Sequence, residues 1–202
     1  MKWQLLDKPA LLQFLDAVKT SGEAVLFAPL TSEGKMTPLP FYQQFRLYRL
    51  TSFASMPIFS LHYLSDGQRY FYLDGTDAPL ATLATLGDLK LTHSNIIAYL
   101  NFYFFAVVQD AGEVFLVQDP NEYPYQDQSN FDVSPGFAFG HGNPKYDITE
   151  ESDGGFMVDT PLFMDGTLVR AKLRVDPNGR VHMLARNMIT GGTAAGTALL
   201  RD

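Results

Sequence analysis

The chain has no cysteine among its 202 residues. Disulfides, thiolate nucleophiles and cysteine-ligated zinc or iron–sulfur centres are therefore excluded. It is also short of continuous apolar sequence. The longest stretch, Ile96–Val108, is broken by Asn101 and falls short of the ~20 residues a membrane-spanning helix needs. Met1–Asp16 mixes apolar with charged residues and lacks the unbroken apolar core of a secretory signal. The expected location is the cytoplasm, away from any membrane. Gly-x-Ser-x-Gly, Gly-x-Gly-x-x-Gly, Gly-Lys-Ser/Thr and His-Glu-x-x-His are all missing, so no nucleophile elbow, dinucleotide fingerprint, phosphate loop or zincin helix is present. No cofactor is expected.

The last shortage is local. From Leu91 to Pro144 the chain runs 54 residues without a lysine or arginine. That window holds six acids (Asp110, Glu113, Asp119, Glu122, Asp127 and Asp132) and eleven aromatics between Tyr99 and Phe139. The flanks are almost neutral, so nearly all of the net charge of −7 lies in the middle. A local field of this kind bears on partners and solubility rather than on fold. With a pI near 5.0, nucleic acid is not an expected partner, since that binding neutralises phosphates with lysine and arginine.

Apolar content of 46% with 18% charged residues is that of a globular chain. A helix should open at Asp7 as N-cap with Pro9 in its first turn, carry Leu11, Phe14, Leu15 and Val18 as one stripe, and end at Gly22. Glu23–Leu30 reads as a strand and Thr31–Pro40, with Gly34, Pro38 and Pro40, as a loop. Phe45–Phe53, Ile58–Leu64 and Arg69–Leu73 read as strands, the last two joined by an Asp66-Gly67 hairpin. Asp74–Asp88 allows a short helix. Thr92 or Ser94 is placed to cap a central helix over Ile96, Ile97, Tyr99, Leu100 and Tyr103, with Phe104–Gln109 converting to strand and Val114–Gln118 pairing back on it. Periodicity does not separate buried helix from buried strand in this stretch. Asp119–Pro144 is a long irregular segment with four prolines and three glycines, of the length that loops reach when they are functional or mobile. Phe156–Phe163, Thr167–Val175 and Arg180–Met188 form a three-stranded meander with turns at Asp165-Gly166 and Asp176–Gly179.

Four constellations carry chemistry. Asp127, with Tyr123 and Tyr125, lies in an acidic aromatic loop that offers ligand contacts, but the acids lack the regular spacing of a calcium loop, so no metal is assigned. Phe137-Ala-Phe139-Gly-His141-Gly places His141 between two glycines, where a general base can approach a substrate; a plain turn explains the same residues. Asn101 is a buried amide that needs partners, from a loop or from a ligand. Finally, strict alternation puts Arg170, Lys172 and Arg174 on one face of their strand, with Arg180, His182 and Arg186 beside them on the next. This basic face either grips an anion or is the solvated side of a sheet, its charges offset by nearby acids.

The expectation is one α+β domain over residues 1–190, a mostly antiparallel sheet of seven to eight strands with an N-terminal and a central helix, followed by a mobile tail over 191–202. The leading functional reading is a non-enzymatic binding or assembly module whose partner is another protein or a second copy, with a small molecule as a further candidate. The alternative is a hydrolase-like enzyme acting on a small molecule, with His141 as base under the 119–144 loop.

Overall fold

The structure, a computed structural model, describes residues 3–19, 27–109, 112–117 and 146–189. They group into two compact units, Met1–Val108 with Asp176–Arg180, and Gln109–Val175 with Val181–Asp202. The 191–202 tail and all but Val117 and Tyr146 of the stretch from Val117 to Tyr146 lie outside the described residues. The class is α+β, with three helices and two antiparallel sheets of five strands each.

The first unit holds β1 (Gln4–Leu5), α1 (Lys8–Val18), β2 (Ser32–Pro38), β3 (Arg46–Ser52), β4 (Phe59–Ser65), β5 (Tyr70–Tyr72), α2 (Ala78–Ala84) and α3 (Ile96–Ala106). Its strands follow one another in the sheet, β1-β2-β3-β4-β5. α1 starts as expected: the Asp7 carboxylate accepts the Ala10 N–H at 2.9 Å and Pro9 occupies the first turn, which satisfies an otherwise orphaned donor. Its apolar stripe places Phe14 in full burial against Tyr48, Tyr63 and Tyr70, with ring centroids 5.3, 5.4 and 5.0 Å away. Aromatic contacts of this kind add to plain area burial.

The loop expected over Thr31–Pro40 is instead mostly strand. β2 pairs with β3 along its whole length, from Ser32 opposite Ser52 to Pro38 opposite Arg46. Its punctuating residues have packing reasons. A Cβ on Gly34 would stand 2.8 Å from Leu6 Cδ1 and 3.1 Å from Leu11 Cδ1, so glycine lets the helix and its lead-in lie close to the sheet. Pro38 is the last strand residue, where a missing N–H costs little. Of the strand expected over Glu23–Leu30, only 27–30 are described, and they form coil and turn.

The Asp66-Gly67 hairpin is present, with Gly67 at φ +91° and Asp66 accepting the Gln68 and Arg69 N–H groups. α3 departs from expectation at both ends. Neither Thr92 nor Ser94 caps it. Asn95 holds that position and turns its side chain backward, accepting from Thr92 N–H at 2.8 Å and donating to the carbonyls of Lys90 at 2.9 Å and Pro40 at 3.3 Å. At its other end the helix continues through Phe104 to Ala106, because Phe102, Tyr103 and Ala106 are buried on it and burial overrides the β preference of aromatic residues. Extended backbone begins at Val107. The Tyr99 hydroxyl donates to the Gly179 carbonyl at 2.5 Å. Burial pushes this phenol well above its ordinary pKa, and neighbouring Tyr42 and Tyr103 act in the same direction.

The second unit holds β6 (Val114–Leu116), β7 (Asp147–Glu150), β8 (Phe156–Met164), β9 (Thr167–Val175) and β10 (Val181–Met188). The meander β8-β9-β10 forms as expected, and its Asp165-Gly166 turn has φ of 49° and 69°, the pair of positive angles that a twisted two-residue hairpin requires. β6 does not pair back on the segment before it. It pairs with Leu162–Met164 of β8, while β7 pairs with Phe156–Asp159 of the same strand. Phe156, Val158, Thr160, Leu162 and Met164 share the buried face with Val169, Ala171, Leu173 and Val175.

Candidate functional site

Six residues singled out from the sequence, Tyr123, Tyr125, Asp127, Phe137, Phe139 and His141, lie outside the described residues. Asn101 is half-buried on α3, and its amide donates to the Ile97 carbonyl one turn back at 3.1 Å; that group is thus engaged within its own helix.

The basic set divides. Arg170, Lys172 and Arg174 do share the face of β9 opposite Val169, Ala171 and Leu173, but this face carries its own acids. Register places Lys172 beside Asp159 and Arg174 beside Met157, with Asp147 of β7 one strand further. Arg170 Nε pairs with Asp159 Oδ1. Arg174 reaches into the turn after β7, with Nε 2.9 Å from Glu151 Oε2 and Nη2 2.5 Å from Asp153 Oδ2. That turn is organised for the purpose: Glu151 N–H donates to the Gly155 carbonyl and Gly155 N–H to Asp153 Oδ1. Exposed pairs of this type contribute at most about 1 kcal/mol each, yet they cancel the field that an incoming anion would feel.

Arg186 does not join this face. Between Met183 and Ala185 the β9–β10 register slips by one residue, Leu184 being the extra one, so that Arg186 stands opposite Ala171 and its Nη1 lies 3.9 Å from Met164 Sδ. A bulge reverses the alternation beyond it, which a strict two-residue count does not foresee. Arg180 lies outside the strand, exposed in the Asp176–Arg180 turn, with its N–H on Asn178 Oδ1.

The bulge leaves β10 with an unusual surface. It is paired with β9 on one side, and among the described residues nothing pairs with its other side. All six residues from Met183 to Met188 are exposed, including Leu184 at 55% and Met188 at 70%. Ile189 N–H donates to the Leu168 carbonyl at 3.0 Å. Antiparallel pairing alternates, so the Asn187 N–H also faces β9, and those of Met188 and Arg186 point to the open edge. From Arg180 to Ile189 there is no acid.

A second group was not foreseen. On the first sheet, Lys35, Arg49 and His62 are direct cross-strand neighbours on one face. The Arg49 guanidinium lies over the Trp3 ring at 4.7 Å, and Phe105 of α3 meets His62 edge-on at 4.8 Å. Burial, and then the adjacent Arg49 charge, push the His62 pKa down to about 4 from its ordinary 6.5. Alternation within β3 and β4 was readable from sequence, but their mutual register was not. The sign of the pH effect follows. Above pH 6.5 His62 is neutral folded and unfolded. As the pH falls toward 4 the unfolded chain takes the proton first, so stability is lost. Across this window the wild type is expected to lose on the order of 2 kcal/mol more than His62→Gln, after discounting for solvent screening. Urea midpoints at pH 7 and pH 4 measure it; equal losses would show that the ring is well solvated.

Among the described residues, no three of His, Asp and Glu converge on a point suited to a metal ion, and no helix is long and apolar enough to cross a membrane. Compared with protein-family models, curated proteins and solved structures, the chain matches none.

Proposed function

We propose that this protein is a binding module of the cytoplasm, and that it captures an extended segment of a partner protein as an added strand alongside β10. One observation carries the reading: an eight-residue strand that no described residue pairs with on one side, with six consecutive exposed residues. Exposed edges of this length are ordinarily blunted because they template pairing with other chains. Among the described residues the bulge and the charged Arg186 are the devices of this kind on β10, and apolar Met183, Leu184 and Met188 are exposed along the same strand. Strand addition draws affinity from main-chain hydrogen bonds and specificity from alternate side chains. The partner segment should be acidic and apolar by turns, since β10 supplies His182 and Arg186 and no acid.

Panning a random peptide library against the full chain tests this. Selected peptides are expected to be strand-forming and rich in Asp or Glu, and to lose binding to the Leu184→Lys, Met188→Lys double variant. That variant should keep its melting temperature, because exposed substitutions usually change stability by less than about 0.5 kcal/mol. Hydrogen exchange adds an independent readout. In the free protein the Arg186 and Met188 amides should exchange quickly and those of Asn187 and Ile189 slowly, and bound peptide should protect the first two. Peptides that bind the double variant equally well, or protection confined to other strands, would remove the proposal. Concentration-dependent self-association lost in the same variant would replace the foreign partner with a second copy.

A further inference from the structure

We propose that Arg49 anchors a binding site for a small organic carboxylate carried on an apolar or aromatic body, on the face of the first sheet that also bears Trp3, His62 and Phe105. The site is independent of the β10 edge.

The first argument is an unmet donor. Among the described residues the Arg49 guanidinium has no ion-pair or hydrogen-bond partner, and its Nε is buried without an acceptor. Buried donors in folded proteins nearly always have partners, and one that does not asks for an explanation. Here the free guanidinium also belongs to a chain with seven more acids than bases, so an acid was available for selection to place there. Among the described residues none stands on this face within reach except Glu33, and Glu33 Oε1 holds Lys35 Nζ at 2.6 Å. Among the described residues Arg49 is thus left as the single uncompensated charge of the row.

The second argument is geometry. Guanidinium offers its two terminal N–H groups as a planar fork, and carboxylate is the group whose two oxygens match that fork. The Trp3 ring, its centroid 4.7 Å from Arg49 Cζ, restrains the guanidinium before any ligand arrives. One strand across, His62 is neutral at pH 7 and presents a ring N–H or a lone pair without adding charge. One available cation suits a singly charged anion; a phosphate dianion would call for more.

The third argument is the apolar surroundings. Phe105 leaves 52% of its surface exposed while resting edge-on against His62, and Leu5, in register with Lys35 on the same face, is 64% exposed. An anion bound at Arg49 has aromatic and aliphatic surface on both flanks to cover. A ligand body of matching character gains from that burial, and a bare anion does not.

Trp3 is the only tryptophan of the chain, so its fluorescence reports this site alone. The experiment titrates the full-length protein with benzoate, and in parallel with acetate, inorganic phosphate and the neutral benzamide. Benzoate should give a saturable change, with acetate and phosphate weaker by roughly tenfold or more and benzamide without effect. Arg49→Gln should weaken benzoate by about tenfold or more, with Arg49→Lys intermediate, since lysine keeps the charge and loses the fork. Should Arg49→Gln not fold, the wild-type contrast of benzoate with benzamide, together with movement of the His62 ring resonances on titration, carries the test. Three results would overturn the proposal: no saturable response to benzoate, an equal response to benzamide, or phosphate binding as tightly as benzoate.

Discussion

Replacing Leu173 with aspartate should unfold the protein or drive it to aggregate, while replacing its neighbour Lys172 with aspartate should leave it folded. Leu173 is wholly buried in the middle of β9, between Val158 of β8 and Met183 of β10. Aspartate there would exchange a packed apolar side chain for a carboxylate with no partner. Losing a buried leucine alone costs about 2–5 kcal/mol, and leaving a polar group unpaired in an apolar setting adds several more. Against a total stability of about 5–15 kcal/mol, the sum is disabling. Lys172 lies on the opposite face and is exposed, so Lys172→Asp should shift stability by no more than about 0.5 kcal/mol. Thermal melts with a solubility assay decide the matter, and equal destabilisation by both would contradict the facing of β9.

Asp88→Ala is expected to be the next most damaging change. Asp88 is 5% exposed, and its carboxylate gathers the Gln44 N–H, at 2.9 and 3.0 Å from its two oxygens, and the Phe45 N–H at 3.1 Å. Those contacts span more than forty residues and set where β3 begins. Phe45 N–H lies in the interior, and each buried donor left without an acceptor costs about 1–3 kcal/mol, more where the acceptor was charged. A loss of about 3–5 kcal/mol is therefore expected in urea unfolding. Asp88→Asn should cost less, because one carbonyl oxygen is retained. A loss below about 1 kcal/mol in the alanine variant would mean that water replaces the carboxylate at Gln44 and Phe45.

The sequence shows Asp88 only as one acid among many in a region of small residues. Its partners are backbone groups with no side-chain signature, and nothing local marks them. The same holds for Asn95, whose partners are the backbone groups of Thr92, Lys90 and Pro40, while Thr92 and Ser94 beside it are also of capping type. Arg49 and His62 are hidden for a related reason. Each sits plainly on a strand, but their adjacency depends on a register that the connection over Phe53–Ile58 sets and that composition does not reveal.

What the sequence by itself determined is local. Asp7 and Pro9 start the first helix because a carboxylate and a proline suit its unpaired first turn. Asp66-Gly67 and Asp165-Gly166 close hairpins because few residues tolerate positive φ. The two-residue period of β9 separates Leu173 from Lys172 because strand side chains alternate. Only tertiary structure decided the rest. It made a strand of Ser32–Pro38 because a neighbouring strand was there to pair with. It kept α3 helical through Phe104 because burial outweighs β preference. It assigned β6 to β8 rather than to the preceding segment. It moved Arg186 across the sheet by one bulged residue, and it paired Arg170 and Arg174 with Asp159, Glu151 and Asp153. In each case the deciding interaction joins groups distant along the chain, and its free energy has no counterpart in any local window of residues.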